Sequence, residues 1–224
     1  MNPITWLVNN LMMPFLNFSY ENIFPNYGVA IILLTLVVKI VFYPLNNKQF
    51  ESMKAQKKIQ PELKKLQEKY KDQPEKLNKE MLKLWKENNA NPFSGCLPVL
   101  IQMPFFFAIF YTIRSEAFKV VIAQPGINSG FLPFWLSDLG MPDKTYILPV
   151  IIGITMYLSQ KMTVTDPKQA KMFMFMPFLM VFICFNLPSG VLLYWAVSQI
   201  LQIAQQSYML KKEPETQSLV KEKK

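Results

Sequence analysis

The chain has 224 residues, 51% of them apolar and 14% aromatic, with 17 prolines against seven glycines, a composition too apolar and too segmented for an ordinary soluble domain. It contains no histidine, which removes the commonest general base and metal ligand. No glycine-rich phosphate loop is present, and two cysteines are too few for a disulfide framework or a zinc site.

Residues 1–26 carry no basic n-region and no cleavage pattern of a secretory signal. Trp6, Leu7, Leu11, Phe15 and Leu16 recur at helical spacing, which predicts an extracytoplasmic helix lying at the membrane interface. Next comes "YGVAIILLTLVVKIVFYPL", residues 27–45, the first of five apolar runs near the roughly 17 to 25 residues that a spanning helix needs. The others are 93–115, 146–162, 171–187 and 189–210. The third and fourth are short, so the bilayer beside them has to thin or polar groups have to enter it.

Residues 46–92, rich in Lys, Glu, Gln and Leu, separate the first two runs. Ile59, Leu63, Leu66 and Tyr70 form one stripe, and Leu77, Met81, Leu84 and Trp85 form a second. They predict a helical hairpin, about Asn47 to Lys71 and Pro74 to Asn88, with Pro61 bending or restarting the first helix. Asn46 and Asn47 on one side and "NNANP" on the other, poor helix interiors, are expected to act as hinges. The hairpin reads equally as a docking arm for a ribosome or partner protein and as a solvated element whose lysines fix topology; contact with anionic lipid is a further use.

Of the 24 lysines and arginines, twelve lie between residues 46 and 94, three between 161 and 171, and five in the tail 211–224, with three in 114–144 and none before Lys39. The positive-inside rule places the hairpin, the 163–170 loop and the tail in the cytoplasm and the 116–145 loop outside. The N-terminus is then outside and the C-terminus inside. In that topology Cys96 and Cys184 sit at opposite faces and cannot pair.

Lys39 is the problem posed by the first run, since a charge at bilayer depth costs about 2.5 to 3.5 kcal/mol on insertion scales. Thr35, one turn away, shares its face. Gln102 lies in the second run, Thr155, Ser159 and Gln160 in the third, and Tyr194, Trp195, Ser198, Gln199, Gln202, Gln205 and Gln206 in the last. The polar content is thus concentrated toward the cytoplasmic side. With Glu116, Asp138, Asp143 and Asp166 all in loops, Lys39 has no acidic residue at its depth, and water, Thr35, glutamine oxygens or backbone carbonyls must solvate it, or it must lose its proton. A wet recess open to the cytoplasm is the simplest arrangement. The glutamines also read as inter-helix glue.

The strings "NPFSGCLPVLIQMPFFFAIFY", "YILPVIIGITMYLSQKM", "TDPKQAKMFMFMP" and "FNLPSGVLLYWAVSQ", in this order, resemble the YidC/Oxa/Alb membrane protein insertases from about Tyr27 to Leu210. The likeness is to the compact five-span type, without the extra N-terminal span and large periplasmic domain of some relatives. It implies an all-α polytopic membrane protein with five transmembrane helices and a cytoplasmic hairpin. The implied activity is insertion of nascent membrane proteins, and chaperoning of their folding, in the bacterial cytoplasmic membrane, without ATP, cofactor, metal or small-molecule substrate and with no enzymatic step. The family's groove, open to cytoplasm and lipid, holds one cation preceded four residues earlier by threonine; here these are Lys39 and Thr35, where the family cation is usually arginine. The expected groove is Lys39, Thr35, Gln102, Gln160, Tyr194, Trp195, Ser198, Gln199 and Gln202. Expected partners are nascent chains, lipids, the Sec translocon and the ribosome, the last through Lys211, Lys212, Lys221, Lys223 and Lys224. A small ion or solute transporter using Lys39 is the alternative, although no internal repeat of the transporter kind is present.

Overall fold

The structure, a computed structural model, describes residues 3–88, 90, 97–124, 127, 130–132, 135–163 and 174–211. Among these the fold is helical throughout, with an isolated antiparallel bridge between Pro142 and Pro188 in place of any sheet.

The first segment is helical: α1 (Pro3–Leu7), a π-helical turn (Val8–Met12) and α2 (Met13–Asn22). Of the expected stripe, Leu16 is buried and Leu7 and Phe15 pack on the core, joined there by Val8, Met12 and Ser19, whereas Trp6 and Leu11 are exposed. The π turn closes i→i+5 hydrogen bonds, so positions before and after it fall out of the 3.6-residue register on which the stripe was read.

α3 (Tyr27–Val41) begins at a fitted cap. The Asn26 Oδ1 accepts from Val29 N at 3.0 Å while its Nδ2 donates to Phe131 O at 3.0 Å, tying the helix start to the connecting segment ahead of α9. Gly28 permits this approach, because a Cβ there would lie 2.6 Å from the Phe131 Cα. The helix gives way at Phe42 to α4 (Tyr43–Lys58), bent from it by 61°. Pro44 sets the break, since a ring with no N–H suits the first turn of a new helix and clashes inside an old one. The predicted hairpin therefore starts at Tyr43 and not near Asn47, and Asn46 and Asn47, expected as a hinge, lie inside α4 with Asn46 buried.

A second restart follows at Pro61, giving α5 (Gln60–Lys69), and Pro74 opens α6 (Pro74–Glu87). The two pack through half-buried Leu63, Leu66 and Tyr70 against Leu77, Met81, Leu84 and Trp85, with most of their lysines outward.

The bundle is completed by α7 (Leu97–Arg114, Pro104 inside it), α8 (Glu116–Ile122), α9 (Ile147–Thr163), α10 (Met176–Cys184) and α11 (Ser189–Lys211). Helix α11 is its axis, packed on α3, α7 and α9, with α10 on the far side of α9. A Cβ on Gly153 would stand 2.5 Å from Val181, so this glycine sets the closeness of α9 to α10. One end of the bundle is closed by the α8–α9 connection: Phe118, Leu136 and Leu139 are buried, Ser189 N donates to Met141 O at 2.7 Å and Gly190 N to Leu139 O at 3.0 Å. Asp143, 3% exposed, accepts from Thr145 N and Leu148 N and so caps α9. Cys184 is buried and free; Cys96 and Asp166 lie outside the described residues.

Four of the five apolar runs coincide with α3, α7, α9 and α11, and α10 falls within the fourth. No single described helix is both long and apolar enough to cross a membrane, and only α3 with α4, taken together across their bend, reach that length. The reason is physical. α3 is apolar but has 15 residues, α10 has nine, and the 23-residue α11 carries glutamines along its second half.

Two outcomes test this architecture. Gly28→Ala should destabilise the protein by about 1 to 3 kcal/mol, as overpacking against backbone does, while Gly140→Ala, where the added Cβ meets the Asp138 carboxylate at 3.2 Å, should cost less; thermal melting in detergent compares them. Hydrogen exchange should find α4 protected up to Lys58 and α5 with α6 exchanging faster as a unit, because neither of the latter contains a buried residue. Equal protection on both sides of Ile59 would place the hinge elsewhere.

Candidate functional site

Lys39 sits in the last turn of α3, one turn before the bend, and its position there fixes what it can reach. Its Nζ donates to Gln202 Oε1 of α11 at 3.0 Å and to Gln102 Oε1 of α7 at 3.3 Å. The Gln102 amide, turned by that contact, donates through Nε2 to Ser198 Oγ and, more distantly, to Tyr194 Oη at 3.4 Å. Tyr194, Ser198 and Gln202 follow one another every four residues and so occupy a single face of α11. They are 1%, 1% and 8% exposed. Three helices thereby converge on one cation, and among the described residues no carboxylate pairs with it: the ion pairs Lys83–Glu87 and Lys119–Glu116 lie at the surface.

Of the expected groove residues, Lys39, Gln102, Tyr194, Ser198 and Gln202 form this network. Thr35 is buried but its hydroxyl donates back to Ile31 O at 2.7 Å, inside its own helix, so it shapes the site without solvating the ammonium. Trp195 and Gln199 are each one residue, about 100° of helix, away from the polar face; Trp195 packs edge-on to Phe106 at 5.3 Å. Gln160, half-buried on α9, stands apart from the network. Lys211 ends α11, and Lys212, Lys221, Lys223 and Lys224 lie outside the described residues.

A second polar level, missed in the sequence, continues the first. Asn46 Nδ2 donates to Gln205 Oε1 at 3.5 Å, and Gln205 Nε2 donates to Asn47 Oδ1 at 2.8 Å and Tyr43 O at 3.5 Å. The signal was present, since Asn46 follows Lys39 by seven residues, but the low helix propensity of two successive asparagines reads as a linker. Farther along α4, Lys57 donates to Met162 O at the C-terminal end of α9, where the helix dipole favours a cation. Burial pushes the Lys57 ammonium below the usual lysine value.

Toward the closed end of the bundle most buried side chains are apolar, among them Tyr27, Ala30, Ile31, Leu34, Ile109, Ile113, Val191 and Leu192, with Asn26, Thr112, Asp143 and Ser189 buried beside them. The outward faces of α7 and α10 are apolar too, with Leu100, Met103, Phe107 and Tyr111 exposed on one and Phe178, Leu179, Phe182 and Ile183 on the other. Exposed apolar faces of this kind mark surfaces that meet lipid or another polypeptide.

The comparisons bear on this arrangement directly. The family described as "60Kd inner membrane protein" matches residues 18–216. The "Membrane protein insertase YidC" of Maridesulfovibrio salexigens is 46% identical over 192 residues, 83% of this chain and 35% of that protein. Its namesake from Syntrophus aciditrophicus is 41% identical over 210 residues, 93% of this chain and 37% of its own length. The chain therefore spans about a third of the length of these curated relatives. Among solved structures, "Active YidC insertase crystal structure with the first transmembrane domain resolved" is similar with a TM-score of 0.71 at 30% identity, covering 93% of this chain and 47% of that one. With the motifs, the helical bundle and a family match over most of the sequence in agreement, the chain belongs to the 60Kd inner membrane protein family.

Proposed function

We propose that this chain is a membrane protein insertase, working without ATP or any chemical step. The observation that carries the reading is the buried Lys39 ammonium, held by the carbonyl oxygens of Gln102 and Gln202 with no carboxylate among the described residues paired to it. A cation held by neutral dipoles and by no carboxylate has no opposite charge to displace before it meets an incoming anionic group. The name of the insertase relatives supports the same reading.

In this mechanism the Lys39 end of the bundle faces the cytoplasm, the amino terminus lies outside, and α3, α7, α9, α10 and α11 are the five spans. Polar residues of a nascent segment enter beside Lys39 and the glutamines of α11. Its apolar residues leave along the exposed faces of α7 and α10 into lipid, and that partition supplies the driving force. Helices of nine to 17 residues, α10, α3 and α9, rise only about 13 to 26 Å against a hydrocarbon core of about 30 Å, so the distance left to cross is shortened. Partners in this reading are nascent membrane proteins, lipids, the Sec translocon and the ribosome, met by the tail lysines Lys211, Lys212, Lys221, Lys223 and Lys224.

Insertion into liposomes by the purified chain, with substrates carrying acidic or neutral translocated tails, tests the role of the cation. Lys39→Arg should insert both. Lys39→Ala should lower acidic-tail insertion about tenfold, as expected for a lost charge-assisted contact, and Lys39→Glu should lower it further by repulsion. Equal insertion of both tails by Lys39→Ala and the parent would remove the cation from the mechanism. For the tail, ribosome binding should weaken on its removal and fall with rising salt; binding indifferent to both would end that assignment.

A further inference from the structure

The two carboxamides that hold Lys39 are not placed alike. Gln202 is 8% exposed, and Ser198 and Tyr194 are 1% each, whereas Lys39 and Gln102 are half-buried. A group arriving at the site therefore meets Lys39 and Gln102 first. Lys39 has a donor for it: an ammonium carries three N–H groups, and among the described residues two are taken, by Gln202 Oε1 and Gln102 Oε1. The longer of the two bonds is the one to Gln102, 3.3 Å against 3.0 Å, and so the weaker.

A carboxylate on Lys39 would set Gln102 a conflict. The Gln102 Oε1 points at the ammonium, as it must with only a cation before it, since the reverse would press the amide hydrogens against a positive charge. A carboxylate oxygen arriving there would stand beside a second bare acceptor. Turning the terminal amide by 180° removes the conflict, because its oxygen and nitrogen are nearly interchangeable in size and Nε2 then donates to the carboxylate. The far side of the amide tolerates the exchange. Its partners there, Ser198 Oγ and Tyr194 Oη, are hydroxyls that accept from Nε2 and donate to no group among the described residues. A hydroxyl rotates its proton to suit its neighbour, so both can donate to Oε1 after the turn, and Gln102 loses no hydrogen bond. A backbone carbonyl in their place would lock the amide in one sense.

We infer that Gln102 is a second ligand for an incoming carboxylate: its amide inverts on the Ser198 and Tyr194 hydroxyls, and the acidic side chain of an entering segment is held by Lys39 Nζ and Gln102 Nε2 together. This rests on the insertase reading and names the group that, beside the cation, selects acidic segments. Two donors side by side fit a planar acid with two oxygens, which adds geometry to charge.

The test measures insertion of acidic-tail and neutral-tail substrates into liposomes containing the full chain, read as the ratio of the two rates. Gln102→Met, which keeps the shape and removes donor and acceptor, is made in the parent and in Lys39→Arg, where the cation stays charged. The ratio should fall about tenfold in both backgrounds, the effect of one hydrogen bond to a charged group. If Gln102 only solvates the cation, the ratio should hold or rise, since a less satisfied cation grips an anion more tightly, and the inference is overturned. A fall confined to the lysine background would overturn it too, because the substitution would then act by discharging Lys39. Thermal melting in detergent checks folding. Should Gln102→Met not fold, Gln102→Asn, whose amide is withdrawn by one methylene, should lower the ratio in the same two backgrounds, and an unchanged ratio would sink the idea. A parent that inserts neither substrate would instead overturn the insertase reading itself.

Discussion

An ammonium group among apolar helices, with no carboxylate to neutralise it, has to be solvated by dipoles, and each dipole must itself be held in place. That requirement organises this protein. Lys39 needs oxygen atoms, so Gln102 and Gln202 turn their carbonyls toward it. Turning Gln102 leaves its amide to be satisfied, and Ser198 and Tyr194 accept from it. The polar face of α11 and the otherwise unaccountable glutamine of α7 both follow from one charge. Pairing with an acid would have been simpler and would have closed the site.

The opposite end of the bundle obeys a different constraint. There the chain is fixed by backbone contacts through small residues: Gly28 against Phe131, Gly190 bonded to Leu139, and Asn26 bridging the start of α3 to Phe131. Such contacts have no slack, since interiors are packed to crystal density. The two ends are consequently held by different means, one by close backbone packing and the other by side-chain hydrogen bonds among carboxamides and a cation.

Much of this could be read from residue order. Tyr194, Ser198 and Gln202 announce themselves by a four-residue spacing, and the solitary Lys39 by its setting. What could not be read depends on the third dimension. Whether the Thr35 hydroxyl turns to Lys39 or to its own helix is a choice of rotamer with no trace in the sequence. Trp195 and Gln199 look like members of the site because they adjoin members of it, yet a step of one residue rotates a helical side chain by about 100°. Asn46 and Asn47 are poor helix formers on their own, and tertiary contact with Gln205 overrides that preference. The π turn at Val8–Met12 moved an amphipathic stripe by one position, which periodicity analysis assumes never happens.

The bend at Phe42 has a structural meaning. It is hydrogen-bonded through on both sides, Phe42 N to Val38 O at 3.0 Å and Asn46 N to Phe42 O at 2.9 Å, so the backbone ladder continues across the turn. With 16 residues α4 reaches about 24 Å beyond the bend, whereas Lys39 lies about 4.5 Å of helix before it. One bent element thus carries two lysines that end on oxygen atoms of other helices, Lys39 on Gln102 and Gln202 and Lys57 on Met162 O at the end of α9.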